Sequence, residues 1–324
     1  MGLLSGLKEL GLGSLEDTTI IEDKKQEKKA DEPVIEKTPE ELELEAIFDR
    51  TITCPVCDLQ FKTKVMRPGK AKLEGTDTDL RPRYEKMDPL KYDAIACTNC
   101  GYAGLTKYFP HLASRQLRDV KEQICAGFKG YATHEGIYTY DDAIMRYKLA
   151  LVSTVVKKAK NSERAYTALK LAWVLRGKRE GLEKELNPAP PKASPQGSAP
   201  QPTAPQQPAK PPLTEEQKKE YRETIVRLYE DEKEALGVAY DGFTISLSKE
   251  SAPIANMDEN TVVFLLAELA HRLKKYDEAS RLCGIVLTNK DTQPRLKERA
   301  YDLKEAIQAE MKKQKEAAAA AGAS

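Results

Sequence analysis

Four of the six cysteines stand in two short pairs, CPVC at 54–57 and CTNC at 97–100. Thiolates are soft ligands, and a CxxC turn reverses the chain so that both sulfurs face one side and backbone amides point toward them. Two such turns facing each other would close a tetrahedral shell around one structural Zn2+, with Cys54, Cys57, Cys97 and Cys100 as its ligands. Binding of that kind contributes roughly 10–16 kcal/mol, which acts as folding energy for a small domain. A catalytic zinc needs an open coordination position and a nearby base, and four cysteines leave no such position. The competing chemistry is thiol redox. A thioredoxin-like pair should open a helix after a strand within a βαβ unit. The residues after Cys57 read instead as a strand, so metal is the reading taken. Phe61 could pack beside the site, and Gly101 could supply a left-handed turn after the second pair.

The remaining candidates are scattered. His111 follows the second pair by eleven residues, outside an already complete shell. His134 lies in a loop-like GYATHEGIY stretch and His271 flanks a helical stripe, so no nucleophile–base pairing can be read. Cys125 and Cys283 fall on or beside apolar stripes and read as small core residues.

The elements that would position the cysteines follow from hydrophobic period. Leu59, Phe61, Thr63 and Val65 alternate with Gln60, Lys62 and Lys64, the period of a half-buried strand. Tyr92, Ala94 and Ala96 alternate with Asp93 and Ile95, so a second strand should enter the second pair. The 39 residues between Cys57 and Cys97 exceed the usual ribbon spacing of about 15–20, which implies an inserted loop or extra strands. That insert carries Lys62, Lys64, Arg67, Lys70 and Lys72 without an intervening acid, then Arg81 and Arg83 beside Tyr84. Such a segment could meet a phosphate backbone. Glu74, Asp77, Asp79, Glu85 and Asp88 dilute it, and a solvated face is the simpler reading.

From Leu112 the period becomes helical, with Leu117, Val120, Ile124 and Phe128 forming one stripe. A second helix carries Ala143, Ile144, Tyr147, Leu151 and Val155. A third should start after Ser162 as N-cap and bury Leu169, Ala172, Trp173 and Arg176. Residues 187–212 hold ten prolines in 26 positions, which makes them an extended spacer without a core. Helices resume at Leu213, where Thr214 and Gln217 have capping-box spacing. Tyr221, Ile225, Leu228 and Leu236 form the next stripe, then Val263, Leu266, Ala267 and Ala270. The last helix runs from about Gln293 into an alanine-rich tail. YDDAIMRYKLAL at 140–151 and YDEASRLCGIVL at 276–287 share one template, similar to the second helix of a tetratricopeptide repeat. Tyr140 and Tyr276 would wedge between helices, Ala143 and Ala279 would permit close approach, and Tyr147 and Cys283 would fill the next layer.

Lys and Arg number 52 against 51 Asp and Glu, so the chain lacks the basic excess of a dedicated nucleic-acid binder. Charged residues are 32 % and aromatics 6 %, a balance that suits a helix-rich, well-solvated protein. No stretch approaches the roughly 18 apolar residues of a membrane span. The N-terminus has no basic segment followed by an apolar core, and Gly6 stands where a myristoylation signal needs Ser or Thr. The expected setting is cytoplasmic and thiol-reducing. Leu3, Leu4, Leu7 and Leu10 could form a short amphipathic helix that docks a partner or a membrane surface, or a frayed terminus. Residues 17–40 read as a charged linker.

TCPVCDLQFKTKVMRPGKAKL, LRPRYEKMDPLKYDAIACTNCGYAG and YDDAIMRYKLAL together resemble the bacterial domain of unknown function 2225 family. The resemblance covers roughly residues 45–185, and the repeat-like C-terminal half more loosely. It implies that Cys54, Cys57, Cys97 and Cys100 are metal ligands, and it brings no activity to transfer. The proline-rich stretch departs from the compact family pattern and leaves open whether the helical portions on either side stack together.

The expected fold is α+β, mostly α: a small β-rich zinc ribbon followed by an antiparallel, tetratricopeptide-like helical-repeat domain. The expected divisions are an N-terminal segment (1–40), a zinc-ribbon-like domain (41–110), helical repeats (111–186), a proline-rich linker (187–212), further repeats (213–318) and a tail (319–324). The expected function is a non-catalytic, zinc-stabilised adaptor that binds protein or peptide partners. A nucleic-acid-associated ribbon is the first alternative and a thiol-redox protein the second.

Overall fold

The computed structural model describes residues 37–131, 135–188 and 213–322. The expected helix within 1–16, His134 and nearly all of the proline-rich stretch lie outside the described residues. The described residues all fall within one unit, and the fold is α+β, mostly helical.

After a short opening helix come three two-stranded antiparallel hairpins. Helix α1 (Pro39–Ala46) opens with a Thr38–Glu41 capping box and a proline in its first turn. It leads into β1 (Ile47–Thr53), which pairs with β2 (Gln60–Met66) from Ile47↔Met66 to Thr53↔Gln60. The first cysteine pair sits in the turn between them. Along β2, Phe61 and Thr63 are buried while Gln60 and Lys62 are exposed, as period two requires. Strands β3 (Leu73–Thr76) and β4 (Pro82–Tyr84) form a second hairpin and account for the length between the two pairs. Strands β5 (Ala94–Ala96) and β6 (Ala103–Leu105) form the third, with the second cysteine pair in its turn.

That third hairpin differs from the strand expected over 92–96. Residues Pro89–Tyr92 wind into a 3-10 turn whose first free N–H, on Leu90, donates to Asp88 Oδ1 (3.0 Å). The strand proper has three residues, and all are buried. Ala94 joins the helical core, Ile95 the cysteine-rich core, and Ala96 packs with Ala103 and Ala150. A strand covered on both faces has no polar side to alternate.

The helical part begins with α2 (Ser114–Val120) and a π-helical turn, Lys121–Cys125. Val120 and Ile124 are buried, but the helix ends before Phe128, so the expected stripe is cut short. Helix α3 (Tyr140–Val156) starts at a Thr139–Asp142 capping box. Helix α4 (Asn161–Leu186) is capped by Lys160, not Ser162. Ser162 lies inside the first turn, where its N–H and hydroxyl both donate to Glu250 (3.1 and 2.5 Å). Beyond lie α5 (Glu215–Lys249), α6 (Glu259–Arg272), α7 (Tyr276–Thr288) and α8 (Pro294–Gly322). The Thr214–Gln217 capping box opens α5 as its spacing predicts.

Helix α4 is the centre of the molecule. Almost every residue from Ala165 to Gly177 is buried, because α3, α5 and the second hairpin cover it from different sides. The helices before and after the proline-rich stretch share one core, in which Leu169 and Leu175 of α4 join Leu236 and Phe243 of α5 and Phe264 of α6. Close backbone approach makes this packing possible. A Cβ on Gly242 would lie 2.8 Å from the Ala165 Cβ, and one on Gly177 would lie 2.6 Å from the Tyr140 ring. In the two template segments Ala143, Tyr147, Ala279 and Cys283 are fully buried.

Two sets of contacts tie the hairpins to the helices. Tyr147 donates to the Leu90 carbonyl (2.9 Å), Tyr140 to Asp88 (3.0 Å), and the Ala103 N–H to Ser153 Oγ (3.2 Å). The tip of the second hairpin makes the second set. Asp79, 0 % exposed, receives a bidentate pair from Arg176 (2.6 and 3.1 Å) and the Trp173 indole N–H (3.2 Å). Arg176 Nε also reaches Glu232 on α5 (2.7 Å), and Arg299 on α8 donates to the carbonyls of Asp77 and Thr78. The Asp79 carboxylate thus ties the hairpin tip to α4, and the Asp77 and Thr78 carbonyls tie it to α8.

Candidate metal centre

The two cysteine turns are built alike. In the first, the Cys54 N–H donates to the Leu59 carbonyl (2.9 Å) and the Asp58 N–H to the Cys54 carbonyl (3.0 Å). In the second, the Cys97 N–H donates to Tyr102 O (2.8 Å) and the Gly101 N–H to Cys97 O (3.1 Å). Each closes with a left-handed residue, Asp58 at φ 58 and Gly101 at φ 76. Aspartate is among the residues that tolerate this region, and glycine enters it freely. The amides then converge on sulfur: Val56 and Cys57 on Cys54, Asn99 and Cys100 on Cys97, and Tyr102 on Cys100.

The four sulfurs lie within 4.8 Å of one another. The two hydrogen-bonded contacts run across the pairs, Cys54 to Cys100 and Cys57 to Cys97, both at 3.6 Å. A tetrahedral ion with metal–sulfur bonds near 2.3 Å would set the sulfurs about 3.8 Å apart. The donor set, its spacing and its burial therefore fit a metal ion. All six cysteines are free thiols. Hydrogen bonds from Cys100 and then Cys54 hold the Cys97 thiol well below its ordinary value. Cys100, hydrogen-bonded to Cys54 and Cys97 and buried, is pushed well above its own. A cation entering this cluster would displace the remaining protons.

Around the sulfurs is a small core of Val56, Phe61, Ile95, Tyr102, Phe109, Val120 and Ile124. Phe61 meets Phe109 edge-on at 6.2 Å, and the Tyr102 ring lies 5.0 Å from it. Cys125 is half-buried against this core, closer to the cluster than its sequence pattern indicates, and burial raises its thiol. Cys283 is fully buried among the helices. His111 is exposed and outside the cluster. His271 lies on α6 with Nε2 3.3 Å from Glu310.

Residues 47–307 match the family described as "Uncharacterized protein conserved in bacteria (DUF2225)". The chain belongs to this family. No match was found among curated proteins or among solved structures. The DUF2225 span takes in both cysteine turns, all three hairpins, and the helices on both sides of the proline-rich stretch.

Within this DUF2225 fold much of the basic segment is already paired. Lys64 meets Asp49 (3.0 Å), Lys72 meets Glu85 (3.2 Å), and Arg81 and Arg83 share Glu180 (3.2 and 2.5 Å). Arg67 stacks over the Phe48 ring at 5.2 Å. The Asp79–Arg176 pair was not anticipated from sequence. Its signal was an arginine flanked by Ala172, Trp173, Val174 and Leu175 in a helix apolar on all sides, where a charge needs a buried partner.

Gly101 gives a direct test of the turn geometry. An alanine there would adopt a left-handed backbone at a cost of roughly 1–2 kcal/mol, and its Cβ would lie 2.5 Å from the Phe128 ring. Gly101→Ala should speed metal release to a chelator several-fold, whereas Asp58→Gly should not. Equal release rates for both variants would contradict this turn assignment.

Proposed function

We propose that this chain is a non-catalytic adaptor whose cysteine-rich region is stabilised by one structural Zn2+ and whose hairpin and helices bind a protein or peptide partner. Thiolate softness and four-fold coordination favour zinc. The cross-pair sulfur contacts support a metal cluster over a redox dithiol, which would form its disulfide within one CxxC. A cytoplasmic, thiol-reducing setting is consistent with free cysteines.

The observation that carries the binding reading is a groove of about 860 Å3 between β3 and the ends of α6 and α8. Leu73, Glu74, Gly75 and Thr76 form one wall, and Thr261, Leu296 and Arg299 belong to the other. Within its hairpin β3 pairs with β4 alone, so its second edge can accept an extended segment by strand addition. The tetratricopeptide-like template at 140–151 and 276–287 belongs to the same reading.

The test is site-specific photo-crosslinking in cells from Gly75, with Leu59 on the first hairpin as the control position. The adaptor reading expects a discrete protein adduct from position 75 and not from 59. Identical adduct patterns would contradict it. Salt-sensitive binding of single-stranded oligonucleotide that falls on charge reversal at Lys62, Lys64 and Arg67 would favour the nucleic-acid reading instead.

A further inference from the structure

A second cavity, of about 580 Å3, opens beside the second cysteine turn, between β2 and the start of α3. Arg146 of α3 lines it and is 3 % exposed. Its guanidinium carbon lies 3.6 Å from the centroid of the Tyr138 ring and 5.8 Å from that of Tyr131. Its Nη1 is buried and has no hydrogen-bond partner among the described residues.

This arrangement is unusual for a buried charge. Buried arginines are ordinarily paired with a carboxylate, because removing the guanidinium from water without a counter-charge is costly. Elsewhere in this chain the rule is obeyed, as Arg176 and Arg81 show. The acids around Arg146 have other roles or stay in solvent. Asp142, one turn earlier on α3, accepts from the Thr139 N–H and hydroxyl (2.9 and 2.7 Å). Asp49 pairs with Lys64, and Glu135 is exposed at the cavity wall. Cation–π contact with two tyrosine faces and a hydrogen bond to Tyr131 compensate part of the desolvation and leave Nη1, one of the fixed N–H donors of the guanidinium, unused.

The rest of the cavity suits the same ligand. Tyr138 Oη accepts the Lys64 N–H (3.1 Å), which leaves its own proton to donate. Lys62, exposed on β2, and Thr98, inside the second cysteine turn, also line the cavity. We propose that Arg146, Tyr138 and Lys62 form a binding site for a small oxyanion, a carboxylate or a phosphate group, held by the edge of the guanidinium. The site is separate from the groove beside β3 and does not depend on the adaptor reading.

The experiment uses the full chain. Thermal unfolding and titration calorimetry are run with sodium phosphate and with sodium acetate, against sodium chloride at matched ionic strength. Saturable binding of either oxyanion, with a raised unfolding midpoint that chloride does not reproduce, is expected, and the two arms tell phosphate from carboxylate. Binding should weaken at least tenfold in Arg146→Gln and several-fold in Lys62→Ser, an exposed change that leaves the fold intact. If Arg146→Gln fails to fold, the wild-type response and Lys62→Ser decide. A midpoint that tracks ionic strength alone would overturn the proposal, as would binding unchanged in Lys62→Ser and in a folded Arg146→Gln.

Discussion

Replacing Cys97 with Ser should unfold the cysteine-rich region while the helices persist. The small core around the sulfurs includes Cys54, Cys97 and Cys100 themselves among its buried residues, so little apolar surface remains to hold it once the ion is lost. Metal binding worth about 10–16 kcal/mol is as large as the whole stability of an ordinary domain, about 5–15 kcal/mol. Loss of one thiolate should therefore abolish hydrogen-exchange protection at the amides of Ile95, Tyr102 and Phe109. Far-ultraviolet circular dichroism should change little, because α4 to α7 bury their own core. Cys125→Ser, beside the cluster but not among the four, should keep that protection. Protection retained in the Cys97 variant would mean that packing alone holds the turns.

The second large effect is expected at Asp79. Asp79→Ala would leave Arg176 without its bidentate partner inside the protein, and Arg272, 3.5 Å from the same carboxylate, would lose it too. Breaking a buried pair from one side costs about 3–5 kcal/mol. The double variant Asp79→Leu with Arg176→Met should recover part of that loss, because it removes the orphaned charge. Denaturant unfolding of the three chains measures this, and a double variant no more stable than Asp79→Ala would contradict the pairing. The same residue sets an acid dependence. Burial works to raise the Asp79 carboxyl, but the hydrogen bonds and charge of Arg176, then Arg272 and Trp173, outweigh it and hold the group below its ordinary 3.8. Its contribution is complete above the unfolded value and is lost as pH falls through the lower folded value. Stability should thus drop below about pH 4 in the native chain, and by less in Asp79→Asn, where that proton uptake is gone.

The parts of this fold legible in the sequence were those with a short-range cause. The spacing of two CxxC pairs, the alternation along β2, the Thr214 capping box and the apolar stripe of α4 each rest on a few neighbouring residues. The parts not legible depend on what lies across the fold. Ala94–Ala96 has no polar face because the helical core covers one side and the cysteine-rich core the other. Ser162 looks like a helix cap, yet Glu250, distant in sequence, takes its hydrogen bonds. Thr139 and Asp142 form a capping box just before the helix expected over 140–151, where Asp stands at the position usually held by Glu or Gln. Asp79 and Arg176 meet across a separation that no local pattern records. At the metal centre the ligand residues were legible, while the backbone amides that converge on the sulfurs are a property of the folded turns.

The most direct test of the central claim is metal content per chain, measured by native mass spectrometry on untagged protein purified under reducing conditions. The account predicts one zinc per chain, lost when Cys54 or Cys97 is replaced by Ser and retained when Cys125 is. A native chain that carries no metal and forms a disulfide within either CxxC on mild oxidation would contradict it.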